Sequence, residues 1–261
     1  DISFPYPKTL SVAKYLLKSI HPQPKIILDF FAGSGTTLHA TAELNEEDGG
    51  NRQCILVTNN ESNICEEVTY VRSNNIIKGY ITPKGESVEG LHNNNLRYYK
   101  TDFISRDRTQ RNMRALTAAA TDLLCIKENL YNEKTTFGRF KLKPNLARYF
   151  NDGTRHMLII YHEELVDEIV EEIKRLKQEG QWPAAMLTIY IFSPGRYAFD
   201  DNFFEVQDSV QLVALPAAIY DAYQRVLPKR KEKLLDEAEP KAAVSETEEL
   251  LDLDFEEGGE Q

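Results

Sequence analysis

Lys25-Ile26-Ile27-Leu28-Asp29-Phe30-Phe31-Ala32-Gly33-Ser34-Gly35-Thr36-Thr37, running on into Leu38-His39-Ala40-Thr41-Ala42-Glu43-Leu44-Asn45, carries the strongest structural signal in the chain. A short apolar, β-rich run (Lys25 to Phe31) ends in a glycine turn and gives way to a helix-compatible segment. Strand, glycine turn and helix in that order open an α/β fold of the nucleotide-binding type.

The same alternation continues downstream. After the turn-forming Asp48-Gly49-Gly50, a second apolar run (Cys54 to Thr58) leads into Asn59-Asn60-Glu61 and a helix to about Asn74. Leu96-Arg97-Tyr98-Tyr99 reads as a third strand. Arg106 to about Asn129 reads as a long helix with Met113, Leu116, Ala120, Leu123 and Leu124 on one side. This order predicts parallel strands with helices on both faces.

A second, smaller α/β unit follows. Met157 to Tyr161 is a strand, and Glu163 to about Gln178 is a helix whose Leu165, Ile169, Val170, Ile173 and Leu176 recur at three- and four-residue steps. Ala185 to Phe192 is a buried strand, Val210 to Ala214 a further one, and Pro216 opens a last helix through Val226. The expected domains are 1–130, 131–230 and a tail over 231–261.

The formal charge of −10 is not spread evenly. From Glu232 onward there are twelve acids and two bases, and the preceding residues hold twenty-nine of each. The tail, poor in apolar groups, is expected to be disordered. A neutral body offers no strong phosphate footprint, so contact with nucleic acid is expected to come mostly from elsewhere. Cys54, Cys65 and Cys125 form neither a CxxC pair nor a histidine cluster, so no metal site or disulfide framework is indicated. No apolar run reaches the roughly 20 residues needed to span a bilayer, and no signal peptide is seen. A cytoplasmic protein without membrane contact is expected.

Two familiar glycine loops fail at Gly33-Ser34-Gly35. A phosphate loop needs Lys after its glycine, and a dinucleotide loop needs a small residue where Leu38 stands. A glycine turn with an acid before it and two threonines after it suits a ligand with an amino acid head and a nucleoside. Gly33 and Gly35 remove Cβ atoms where backbone would touch that ligand, and Asp29 can accept from a cationic amine.

At this point Asp29-Phe30-Phe31-Ala32-Gly33-Ser34-Gly35-Thr36-Thr37 resembles the cofactor motif of amino-methylating DNA methyltransferases, especially the modification subunits of type III restriction-modification systems. Phe4-Pro5-Tyr6-Pro7-Lys8-Thr9-Leu10 is similar to the segment preceding that motif, with Thr9 where proline is usual. Ile55-Leu56-Val57 with Glu61 resembles the second strand and its ribose-binding acid, a role that a carboxylate at such a strand end suits geometrically. Leu96 to Phe103 is similar too, with Asp102 near the cofactor adenine. The resemblance covers residues 4 to about 104. It implies a Rossmann-like half-sheet binding S-adenosyl-L-methionine through Lys8, Asp29, Phe31, Gly33, Gly35, Thr36, Thr37 and Glu61. It implies DNA as substrate, with a twin subunit and a nuclease/helicase restriction subunit as partners.

The catalytic half of that family's motif set is absent. Methylating an exocyclic amine requires a flipped base, an aromatic ring to stack on it and acceptors for the amine, supplied in this family by a D-P-P-Y-type tetrapeptide. Of eleven prolines no two are adjacent, and Ser193-Pro194-Gly195-Arg196-Tyr197 lacks the acid and the second proline. No catalytic residue is therefore assigned. The type III-like arrangement puts the catalytic and target-recognition segments before the glycine motif. A chain opening at Asp1 is expected to be the carboxy-terminal portion of a longer protein, inactive by itself and meeting DNA mainly through the upstream region. The alternative is a non-catalytic module that keeps the fold for interaction only.

His156 and His162 are expected to be structural or solvated, Glu163-Glu164 and Glu171-Glu172 to form a solvated helix face, and Trp182 to pack.

Overall fold

The computed structural model describes residues 8–20, 23, 25–195 and 199–227. The tail expected over 231–261 lies outside them, as do Phe4 to Pro7. The chain is an α/β protein of two compact units, Asp1–Thr101 and Asp102–Gln261. None of the described helices is long and apolar enough to cross a membrane.

In the first unit the helix α1 (Leu10–Lys18) precedes β1 (Ile26–Asp29), α2 (Thr36–Asp48) and β2 (Gln53–Leu56). The strands are parallel, with Ile26 opposite Gln53 and Asp29 opposite Leu56. A crossover helix is what parallel pairing requires, because a hairpin cannot return the chain in the same direction. Helix α2 is tied down by Ala40 and Leu44, both buried, and by Asn45, whose side chain donates to Arg52 O at 3.0 Å and accepts from Arg52 N at 3.0 Å. Lys14 of α1 pairs with Glu43 and Glu47 of α2.

Beyond β2 come a 3₁₀ turn (Glu61–Asn63), a π-helical turn (Ile64–Thr69) and α3 (Tyr70–Lys78). A hairpin of β3 (Tyr80–Ile81) and β4 (Ser87–Val88) follows.

One expectation for this unit changes. Leu96 to Tyr99 is not a strand: the extended chain is held by side chains, with Tyr98 against Tyr70 at 5.2 Å between ring centroids and Lys100 paired with Glu66. The sheet is correspondingly two-stranded among the described residues. β1 alternates in burial. Ile27 is 8% exposed, but Ile26 and Leu28, on the opposite face by the two-residue period of a strand, are 57% and 50% exposed.

The second unit holds α4 (Gln110–Glu128), β5 (Glu133–Lys134), a hairpin of β6 (Thr136–Phe137) and β7 (Phe140–Lys141), β8 (Ala147–Asn151), β9 (His156–Ile160), α5 (Val166–Gln178), β10 (Leu187–Ile191), β11 (Val210–Leu212) and α6 (Ala217–Val226). Its five-stranded sheet runs β11-β10-β9-β8-β5. β9, β10 and β11 are parallel, and β8 runs antiparallel between β9 and β5.

Both faces of this sheet are covered, so β9 is buried at every position. Leu158 and Ile160 pack with Leu165, Ile169 and Ile173 from the α5 side. Met157 and Ile159 pack with Ala120 and Leu124 of α4 and Ile219 and Tyr223 of α6.

Helix α4 therefore belongs to the second unit, and the division falls after Thr101, where the sequence placed it near 130. Amphipathic spacing establishes that a helix has a core face without saying which core it joins. Leu123 is also not on that face, being 55% exposed.

Glu172 departs furthest from expectation. It is fully buried, and its carboxylate accepts from Arg139 N at 2.8 Å and pairs with the guanidiniums of Arg139 at 3.1 Å and Arg175 at 2.6 Å. Gly138 makes this possible, since a Cβ there would stand 1.9 Å from Glu172 Oε1. The carboxylate thus ties the β6–β7 hairpin to α5.

His156 and Trp182 are structural, as expected. His156 Nε2 lies 2.9 Å from Ala185 O, and a carbonyl can only accept, so that nitrogen carries the proton and Nδ1 accepts from Tyr149 OH at 3.1 Å. Burial lowers the pKa of this imidazole. Trp182 packs its ring at 5.4 Å from His156 and 6.4 Å from Phe137.

Because removing Glu172 leaves the Arg139 amide without this acceptor and takes from Arg139 and Arg175 a carboxylate that is itself fully buried, Glu172→Ala should cost about 3 kcal/mol of stability and Glu172→Gln clearly less. Urea unfolding monitored through Trp182 reads this, and equal midpoints for wild type and Glu172→Ala would exclude a structural role for the carboxylate.

Candidate functional site

The loop between β1 and α2 is organised by its own acid. Asp29, the last residue of β1, accepts from Phe31 N at 2.9 Å through Oδ1 and from Thr37 Oγ1 at 2.6 Å through Oδ2. One carboxylate thereby joins the strand end to the turn and to the first turn of the helix. Ala32 N donates to Val57 O at 3.2 Å and Val57 N to Asp29 O at 2.8 Å, which extends the β1–β2 ladder into the loop.

Gly33 and Gly35 are both left-handed, at φ 52° and 79°. Gly35 caps α2, and a Cβ there would meet Ser73 Oγ at 3.3 Å and Thr69 Cγ2 at 3.5 Å. Its missing side chain thus admits the α3 segment, whereas the sequence assigned the space to ligand. The backing residues are Thr69, whose hydroxyl donates to Gly33 O at 2.6 Å, and Arg72. Arg72 donates to Ser34 Oγ at 2.8 Å and Thr36 Oγ1 at 3.2 Å, and its second nitrogen lies 3.3 Å from His39 Nδ1. Burial lowers the pKa of His39. With Nδ1 accepting from Arg72, the neutral ring's proton sits on Nε2, 3.2 Å from Glu43.

The eight residues singled out from the sequence thus fall into three groups. Asp29, Phe31, Gly33, Gly35, Thr36 and Thr37 share one loop. Within it Thr36 is 4% exposed and turned to Arg72, while the Phe31 ring is 87% exposed. Glu61 stands on the loop leaving β2, the strand parallel to β1. It is exposed; its carboxylate accepts from Asn59 Nδ2 at 3.4 Å and its backbone N–H donates to Asn59 Oδ1 at 3.2 Å. Lys8 is exposed just before α1 and has no ion pair among the described residues.

The Glu61 loop is unusual. Asn60, Ser62 and Asn63 all have positive φ, at 55°, 52° and 59°, a region that costs energy for residues with side chains. Asn60 steadies it by accepting from Cys65 N at 3.0 Å and Glu66 N at 3.2 Å.

Chemically, these residues offer two carboxylates at the carboxyl ends of adjacent parallel strands, an exposed ring and a loop of left-handed glycines. This is acceptor chemistry, suited to a ligand rich in amine and hydroxyl donors. Among the described residues no cluster of metal-ligating side chains occurs. Thr69, Arg72 and Ser73 were not identified from the sequence. They lie more than thirty residues from the loop they support, and only the i, i+4 pairing of Thr69 with Ser73 could have marked a polar helix face.

Gly35→Ala forces a Cβ into a left-handed position against Ser73, and should destabilise the first unit by about 1–2 kcal/mol. Thermal unfolding measures the loss. An unchanged midpoint would mean that the α3 segment does not press on the loop.

Residues 2–110 match the family model described as DNA methylase. Over 58 residues the chain is 50% identical to the StyLTI Mod subunit, a type III restriction-modification enzyme subunit of Salmonella typhimurium, covering 22% of this chain and 9% of that protein. The type II methyltransferase M.KpnI of Klebsiella pneumoniae is 47% identical over 57 residues, 22% of this chain and 14% of its own length. The type III restriction-modification enzyme EcoPI Mod subunit of Escherichia phage P1 is 43% identical over 58 residues, again 22% and 9%. The matched stretches span only 9% to 14% of these relatives.

Proposed function

We propose that this chain, whose residues 2–110 match the DNA methylase family model, supplies the S-adenosyl-L-methionine-binding half of a site-specific DNA adenine methyltransferase of the restriction-modification type. The observation that carries this reading is the placement of Asp29 and Glu61 on the loops that leave two neighbouring parallel strands. Ligands of open α/β sheets bind outside the carboxyl ends of their strands.

The donor set fits the cofactor. Asp29 retains lone pairs beyond those used by Phe31 N and Thr37, and these would accept from the amine of the methionine moiety. Glu61 would accept from the two ribose hydroxyls. Phe31 would offer its ring as an apolar wall, and Gly33 would let backbone approach. Gly35, Thr36 and Thr37 hold the loop's shape, and Lys8 would approach the methionine end. When bound, the cofactor supplies the methyl group for the exocyclic amine of adenine.

The rest of the proposal concerns what these residues leave undone. No described residue combines an acid, adjacent prolines and an aromatic ring to hold a flipped base, so a separate stretch of polypeptide would bring that tetrapeptide. The free edge of β1 supports this: β2 pairs on one side, no described strand pairs on the other, and an unpaired edge invites a partner. In the complete Rossmann-like sheet β1 would lie centrally. DNA, a twin subunit and a restriction subunit are the corresponding partners, the second unit would serve in assembly, and the cytoplasm would be the site of action. A non-catalytic module is the second reading, favoured only by the missing tetrapeptide.

Titration calorimetry separates the two. The chain should bind S-adenosyl-L-methionine, and Glu61→Ala should weaken binding by about 1–3 kcal/mol through lost charge-assisted hydrogen bonds. Equal affinities would remove Glu61 from the site, and no binding at all would favour the module. The chain alone should transfer no methyl group to DNA, while co-expression with a polypeptide bearing a D-P-P-Y-like segment should restore transfer. Methylated DNA from this chain by itself would refute the division of labour.

A further inference from the structure

Four arginines, Arg106, Arg108, Arg111 and Arg114, fall within nine residues near the start of the second unit, and no lysine or glutamate occurs between Thr101 and Ile126. All four are exposed, and among the described residues their guanidinium groups have no hydrogen-bonding or ionic partner. Elsewhere in the same unit arginines are neutralised: Arg148 by Glu133 at 2.6 Å, Arg155 by Asp152 at 3.0 Å and Arg175 by Glu172 at 2.6 Å.

Two aspartates, Asp102 and Asp107, stand against the four arginines over residues 101–114 and leave the segment net positive. Asp102 accepts from Phe103 N at 2.7 Å, and Asp107 from Ser105 Oγ at 2.7 Å. The segment is nonetheless fixed. Thr109 caps α4 by accepting from Asn112 N at 3.1 Å, and the Asn112 side chain donates to Asp107 O at 3.0 Å. Met113, Leu116, Ala120 and Leu124 seat the helix on the core, which turns Arg111 to the solvent side and Arg114 to the flank.

Unneutralised cations beside one another, at the positive end of a helix, oppose folding. A bound polyanion reverses the sign of that contribution, and guanidinium forks match phosphate oxygens two at a time. We propose that Arg106, Arg108, Arg111 and Arg114 form a contact for the phosphate backbone of DNA that is indifferent to base sequence. This rests on the DNA methyltransferase reading, which it deepens, and Arg106 and Arg108 lie inside the segment matched to DNA methylases. It also revises the expectation that a neutral body has no phosphate footprint: the average is neutral, but this patch is not. The rival occupant is the chain's own acidic stretch from Glu232, with its twelve acids and two bases.

The test measures affinity of the 261-residue chain for two unrelated short duplexes across a salt series. Arg111→Gln/Arg114→Gln should flatten the slope of log K against log salt by about 2, equally on both duplexes. Arg111→Lys/Arg114→Lys should keep the slope, since the charges remain. A slope unchanged by the glutamine pair, or no binding by the wild type at the lowest salt, overturns the proposal. So does an effect that emerges only after Glu232–Gln261 is removed, because the acidic stretch would then be the occupant. Calorimetry with S-adenosyl-L-methionine on the same proteins controls for folding. It also keeps the outcomes apart: lost cofactor binding by the wild type refutes the function, while intact binding with an unchanged slope refutes only this contact.

Discussion

The Asp29 carboxylate is the constraint on which the first unit depends. It accepts from Phe31 N and Thr37 Oγ1, one on each side of the turn, and so fixes where the strand ends and where the helix begins. Neither glycine could do this. Gly33 and Gly35 permit a left-handed path but do not select one conformation among those available to them. The acid selects it, and Thr69 and Arg72 hold the result from behind. Using a carboxylate as the organiser has a functional consequence: the group that shapes the loop is charged and retains acceptor capacity, so the structure arrives with an acceptor already oriented at its rim.

Local signals were the legible ones. β1, α2 and β2 follow from an apolar run, a glycine turn and a polar-faced helix, and each interacts mainly with its neighbours in sequence. α5 was readable for the same reason, because Leu165, Ile169, Val170, Ile173 and Leu176 are all buried. What failed depended on distant partners. Glu172 looks like a solvated acid until Arg139 and Gly138 arrive from a hairpin more than thirty residues away. Leu96 to Tyr99 has the composition of a strand, but it pairs with no strand among the described residues. β8 was not read at all. Ala147 to Asn151 contains two polar or charged residues and neither a β-branched nor a strictly alternating pattern, and its antiparallel pairing with β9 supplies what its composition does not.

The site was legible in its residues but not in their division of labour. The sequence grouped Gly33, Gly35, Thr36 and Thr37 as ligand contacts. The structure distinguishes a wall of the loop from its scaffolding, with Thr36 turned to Arg72 and Gly35 pressed by Ser73. Glycine motifs carry both demands in one pattern, since a missing Cβ admits a ligand or a helix equally well, and only the position of α3 decides which.

The two units differ in how far they cover their sheets, although the second also exposes Phe103, Leu123, Met186 and Phe204. The second covers both faces of its sheet and gives Glu172 and His156 partners for their buried polar atoms. The first leaves Tyr15, Leu16, Ile26, Leu28 and Phe31 about half exposed or more. At roughly 25 cal/mol per Å² of apolar surface removed from water, covering such side chains is worth several kcal/mol, comparable to the net stability of a small domain. A surface of that kind biases the unit toward association, and under the proposed function the polypeptide that brings the base-holding residues would also cover apolar side chains of this unit. Stability and methyl transfer would then be coupled, because in that reading a single contact serves both.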